Sequence, residues 1–170
     1  MPQYRIILEC ETDGIDTVYP CQDATFALRI VCAHCGYRQE KLLFIEFEEK
    51  ETQSRNAHIP SDRHSWSCKD CARQGSICLH PIENATSTSR NIFPIATAEV
   101  RGSLSLTGWD PHHTTLNGRR VASQSETADV DNIHEAQFSI TLTDGEWMDY
   151  DEINEGPVGI TSATGCVSKL

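Results

Sequence analysis

Two pairs of cysteines set the strictest limit on how this chain can fold. The segments CAHCG at 32–36 and SCKDCA at 67–72 place Cys32 with Cys35 and Cys68 with Cys71, each pair two residues apart, with 32 residues between the pairs. Two residues between ligands let one turn aim both sulfurs at a single point. Two such knuckles brought together supply the tetrahedron that Zn²⁺ accepts at about 2.3 Å per sulfur. Gly36 suits the first knuckle, because a glycine there takes the positive-φ turn that directs backbone N–H groups toward sulfur. Ala72 holds the matching position in the second and fits it less well. The spacer exceeds the roughly 15–20 residues of the commonest four-cysteine pattern, so it must contain a strand excursion, and KLLFIEFEE at 41–49 provides one. We therefore expect one structural Zn²⁺ held by Cys32, Cys35, Cys68 and Cys71.

Other residues compete for these roles. Cys78, His34, His64 and His80 lie near the pairs in sequence, and an imidazole can replace a thiolate in a three-sulfur site. They break the symmetry of the two knuckles and rank below the four. Cys10, Cys21 and Cys166 stand outside any pair and read as small buried apolar residues or free thiols. A thioredoxin-like dithiol needs a helix N-terminus to depress its nucleophile's pKa. GYRQEKLLFIEFEE after Cys35 turns into a strand instead. Arg38, Lys41, Lys69 and Arg73 are the cations expected near a tetrathiolate centre of net charge −2.

A chain of 170 residues can bury a core without covalent staples, so its eight cysteines are not needed as scaffolding. The opening MPQYRIILECE has no basic region leading into a long apolar run. We read neither a signal peptide nor a membrane span, and expect a cytoplasmic protein, with the nucleus open to it, where thiols stay reduced. The net charge of −11 arises from 14 basic and 25 acidic residues, split as 10 and 13 over residues 1–90 and 4 and 12 over residues 91–170. An acidic surface repels phosphate backbones and lipid headgroups, which argues against nonspecific nucleic-acid or membrane binding.

Apolar residues alternate with period two in several short segments: Tyr4, Ile6, Leu8 and Cys10; Phe26, Leu28 and Ile30; Leu43, Ile45 and Phe47; Phe138, Ile140 and Leu142. Weaker candidates are 77–79, 92–100 and 104–106. No helical stripe persists over three turns. The expectation is an all-β protein, an antiparallel sandwich or barrel forming one domain over 1–170, with the zinc site in the half 1–90 and the acidic half at 91–170. The polar stretches 49–66 and 110–137 read as loops, and TSTSRN at 86–91 as a seam between halves.

No phosphate-cradling glycine loop, G-x-S-x-G elbow or H-E-x-x-H occurs. His112 and His113 sit in a polar stretch and read as solvated. EWMDYDE clusters Glu146, Asp149, Asp151 and Glu152, but it lacks the glycine and distal glutamate of a calcium loop and reads as a solvated acidic turn.

CAHCG, SCKDCARQGSI, VRG at 100–102 and WMDYDE followed by VGI at 158–160, in this order, resemble the eukaryotic CXXC-motif-containing zinc-binding proteins. The likeness runs from about residue 3 to about residue 165. It implies a β-rich fold of two similar halves, a single zinc on the four cysteines, and no established catalytic activity. Asp149, Tyr150, Asp151 and Glu152 match the family's acidic motif, which we read as structural or partner-facing. The chain departs from the pattern at SLSLTGWDPHHTTLNGRR, 103–120. The expectation is a monomeric, non-enzymatic protein that works through a protein partner. The rival classes are a thiol redox protein and a metal-transfer protein.

Overall fold

The structure, a computed structural model, describes residues 1–46, 63–82, 91–120 and 135–170. Alternation dictates its strands. In β1 (Gln3–Asp13) Tyr4, Ile6, Leu8 and Cys10 are buried, while Arg5, Glu9, Glu11 and Asp13 are exposed. The same logic forms β3 (Thr25–Cys32), where Phe26, Leu28 and Ile30 are buried, β4 (Leu43–Glu46) and β10 (Ala136–Ile140). Phe47, expected to share a face with Leu43 and Ile45, lies outside the described residues. The remaining strands are β2 (Thr17–Pro20), β5 (His64–Ser67), β6 (Gln74–Pro81), β7 (Ile92–Gly102), β8 (Leu104–Asp110), β9 (Leu116–Arg120), β11 (Trp147–Asp151) and β12 (Gly156–Lys169). The one helical element among the described residues is a 3-10 turn, Pro111–His113, capped by the Asp110 carboxylate.

All pairings are antiparallel, as the all-β reading requires. A six-stranded sheet runs β11-β12-β1-β7-β6-β5, and two three-stranded sheets run β10-β9-β2 and β4-β3-β8. Inward side chains from all three sheets meet in one core, including Ile6 and Leu8 of β1, Phe26 and Leu28 of β3, Phe93 and Ile95 of β7, Leu116 of β9 and Ile160 of β12. The longest strand pair, β1 with β12, joins the two ends of the chain, and β6 and β7 pair across residue 90. The strand that leaves the six-stranded sheet as β7 re-enters the β4-β3-β8 sheet as β8, turning at Gly102 and Ser103.

Three readings from the sequence are corrected. The stretch 110–137 is not a loop throughout: it contains the 3-10 turn and β9, in which Gly118 packs below Ile140 and Ile15. Its pattern was hidden because LNGRR alternates a leucine with a glycine. The stretch 49–66 is not all loop either, since His64, Ser65 and Trp66 belong to β5, whose pairing with β6 buries Trp66; residues 49–62, 121–134 and most of TSTSRN lie outside the described residues. The acidic segment 146–152 is not a solvated turn either, because β11 pairs with β12 from Trp147 to Asp151 and Asp151 is 1% exposed.

Facing follows from register, so neighbouring residues of β1 should differ sharply in their contribution. Leu8→Ala is expected to cost about 3 kcal/mol, and Glu9→Ala to stay within about 0.5 kcal/mol, measured by urea denaturation.

Candidate metal centre

Each knuckle is built by the same local hydrogen bonds. β3 ends on Cys32; the Cys32 N–H donates to the Tyr37 carbonyl at 2.8 Å, and the Gly36 N–H donates to the Cys32 carbonyl at 2.9 Å. In the turn between β5 and β6, Cys68 N–H donates to the Arg73 carbonyl at 2.8 Å, and Ala72 N–H to the Cys68 carbonyl at 3.0 Å. The residue after the second cysteine takes positive φ in both turns, +76° at Gly36 and +57° at Ala72. The alanine thus adopts the conformation that glycine adopts without penalty, at a strain of about 1 kcal/mol.

The knuckles belong to different sheets, the first to β4-β3-β8 and the second to the six-stranded sheet, and the chain between the sheets holds them side by side. Ser103 N–H donates to the Gln74 carbonyl at 3.0 Å, and the Ser103 carbonyl accepts from the Ala33 N–H at 2.8 Å. One corner residue therefore bridges both turns. Gly102 makes the corner at φ +74°, and a Cβ there would stand 2.4 Å from the Gln74 carbonyl oxygen. A third tie is the Trp66 indole N–H, which donates to Gln39 Oε1 at 2.9 Å.

These constraints bring Cys32, Cys35, Cys68 and Cys71 together with all four sulfurs within 4.8 Å of one another. Across the knuckles, Cys32 Sγ lies 3.7 Å from Cys71 Sγ and Cys35 Sγ lies 3.6 Å from Cys68 Sγ. A disulfide would need about 2.05 Å. A tetrahedron of sulfurs about 2.3 Å from a central ion has edges of about 3.8 Å, so the donor set fits a tetrathiolate metal. Cys32 and Cys68 are buried, Cys71 is half-buried and Cys35 is exposed, so each knuckle contributes one inner and one outer ligand.

Backbone N–H groups and the crowding of sulfurs set the thiol energetics. The N–H of Cys35, with that of His34 and against burial, holds the Cys32 thiol down to about 7. The Tyr37 N–H favours the Cys35 thiolate, yet burial of its sulfur and the neighbouring thiols of Cys32, Cys68 and Cys71 push it up to about 12. The Arg73 N–H does the same for Cys71, whose thiol is nonetheless raised by burial and by Cys32 and Cys68. Four thiols at one point resist ionising together; a divalent cation removes that resistance. The groups that move these thiols are backbone N–H donors, burial and one another rather than the side-chain charges of Arg38, Lys41, Lys69 or Arg73.

The rival ligands stay apart. Among the described residues the four sulfurs form the metal-competent group, and Cys78, His34, His64 and His80 do not join it. Cys10 is core, its thiol pushed up to about 12 by burial. Sequence reasoning missed the corner. VRG was legible as a motif, but that its glycine lets one serine bridge two knuckles depends on a non-local contact.

Asp151, from the acidic motif, has a structural task. Its carboxylate accepts from the N–H groups of Ile153 at 2.9 Å and Asn154 at 3.1 Å and from Asn154 Nδ2 at 2.6 Å, with Arg120 Nη1 at 3.6 Å. Burial opposes its ionisation, but these hydrogen bonds and the Arg120 charge outweigh it and hold the carboxyl below its ordinary value. Asp151 therefore closes the turn between β11 and β12.

Comparison with known proteins shows the family through one match over nearly the whole chain. The family model described as "CXXC motif containing zinc binding protein, eukaryotic" matches residues 5–165. A UPF0587 protein of Dictyostelium discoideum is 26% identical over 175 residues, covering 100% of this chain and 99% of that one. Another from Drosophila melanogaster is 28% identical, covering 87% and 83%. The crystal structure of C1orf123 superposes with a TM-score of 0.76 at 23% identity over 99% of both chains. A hypothetical protein from Plasmodium falciparum gives 0.66 at 15% identity, covering 99% of this chain and 100% of the other. These last two likenesses carry the fold.

Two outcomes follow from the site and its neighbour. Gly102→Ala should lower stability by about 3 kcal/mol and weaken metal retention, whereas Ala72→Gly should leave metal binding intact and stability equal or up to about 1 kcal/mol higher, read by denaturant melts and metal analysis. Asp151 contributes stability above its unfolded pKa near 3.8, and that contribution is lost as pH falls through the lower folded value. Asp151→Asn should cost about 2 kcal/mol at neutral pH, and the difference from the parent should close below about pH 4 in pH-dependent unfolding.

Proposed function

We propose a function for this chain, which belongs to the eukaryotic family of CXXC-motif-containing zinc-binding proteins: it is a β scaffold locked by one structural Zn²⁺ that acts by binding another protein, without catalysis. The single observation that carries the reading is the closed set of four sulfurs at tetrahedral spacing. Cys32, Cys35, Cys68 and Cys71 would hold the ion, which when bound fixes the relative position of two sheets. A four-sulfur shell has no open position for water or substrate, which favours structure over Lewis-acid chemistry. The two inner ligands sit in the core and anchor the ion to it, while the knuckle N–H groups stabilise the thiolate charge.

A second reading, metal transfer, is favoured by one observation: the outer ligands Cys35 and Cys71 leave one side of the site accessible to a competing chelator. The two readings separate by exchange rate. Protein purified under reducing conditions should contain one zinc per chain and melt sharply lower after chelation. Cys68→Ser should lose the metal and much of the order of 10 kcal/mol that site formation contributes in small zinc modules. Zinc that leaves within seconds to a modest chelator, with the fold unchanged, would favour transfer, and a metal-free protein of undiminished stability would contradict both readings.

A further inference from the structure

Three of the six large apolar side chains left exposed among the described residues fall within one six-residue stretch: Met148 at 74%, Tyr150 at 55% and Ile153 at 55%. Register shows what surrounds them. Met148 stands opposite Gly159, and its Cγ lies 3.6 Å from where a Cβ on Gly159 would be. Tyr150 stands opposite Pro157, which is also exposed. One strand further in, Gly159 faces Asp13 and Thr161 faces Glu11, so the outward carboxylates of Glu9, Glu11 and Asp13 on β1 line one side of this apolar patch. Glu152, exposed in the turn after β11, adds a carboxylate at the strand's end, whereas Asp149 shares the opposite face with Asp151 and Val158. Neither 9–13 nor 144–161 contains a lysine or arginine, and Arg120, the nearby cation, is turned toward buried Asp151.

The patch lies at the end of the six-stranded sheet, whose outermost strand here is β11. Pro157 has no N–H, so the Tyr150–Pro157 pair is not hydrogen-bonded and the Tyr150 N–H points to the edge that no described strand covers. There Asp149 Oδ1 accepts it at 2.8 Å. A carboxylate on the edge donor opposes addition of another strand, so an occupant lies across the face rather than extending the sheet.

Resting on the reading that this protein acts through a protein partner, we infer that the outer face of β11, β12 and β1 docks a basic, apolar segment of that partner. Its aliphatic side chains would cover Met148, Tyr150 and Pro157, and its lysines or arginines would reach Glu9, Glu11 and Asp13. Charge decides between classes of partner. Nucleic acid and anionic lipid surfaces carry the sign that this face repels. Isolated apolar residues on a surface are ordinary, but a contiguous patch rimmed by one sign of charge marks an interaction site.

The test uses the metal-loaded full chain and, as probe, a synthetic peptide of about nine residues alternating Lys and Leu, long enough when extended to span about 30 Å. Controls are the same peptide with Glu for Lys and vesicles containing phosphatidylserine. The Lys peptide should bind with a salt-sensitive affinity and shift the Met148 methyl resonance. The exposed double substitution Met148→Ser with Tyr150→Ser should weaken binding at least about tenfold without changing the melting temperature. Equal binding of the Glu peptide, unchanged binding by the double variant, preference for the vesicles, or shifts confined to another face would each overturn the assignment. Failure of the underlying reading looks different: photo-crosslinkers placed in cells at Tyr150 and, on a different sheet, at Phe44 would then both return no protein adduct.

Discussion

The convergence of four sulfurs from two turns is the contact on which the rest of the architecture depends, because those turns belong to different sheets. Without it, the β4-β3-β8 sheet and the six-stranded sheet meet through the shared core and through the corner at Gly102 and Ser103. With an ion between them, the ends of β3 and β5 become a single cross-linked unit. The corner brings the two knuckles within reach of each other, since one serine bonds both through Ala33 and Gln74. Bound metal would then supply the energy that fixes the two sheets in that geometry.

Much of this was legible in the sequence, and for local reasons. Period-two alternation located β1, β3, β4 and β10 and the direction each faces, because a strand with one face on a core admits little else. Two identical spacings located the knuckles, because a turn of that length aims two sulfurs at one point. What escaped depends on distant partners. β12 carries small and polar residues, Gly156 to Lys169, and is a strand because β1 and β11 flank it. β9 was hidden by Gly118, which is small because Ile140 and Ile15 pack over it. Asp151 looked solvated because its burial arises from the turn it closes upon itself and from Arg120, thirty-one positions away.

The acidic motif divides between two duties once its register is known. Alternation turns Asp151 inward, where it holds the β11–β12 turn, and turns Met148 and Tyr150 outward beside the carboxylates of β1. The same five residues thus serve the fold on one face and offer a charged apolar surface on the other. The metal centre and this surface lie at different parts of the six-stranded sheet, at β5 and β11, its opposite edges. In the scaffold proposed above, the sheet would join an end fixed by metal to an end that presents a defined face.

X-ray absorption at the zinc edge of the purified protein tests the central claim most directly, since it reads the atoms around the ion without reference to the fold. Four sulfurs at about 2.3 Å, with no nitrogen or oxygen in the inner shell, is the result this account requires. A shell containing imidazole nitrogen or water oxygen, or fewer than four sulfurs, would contradict it.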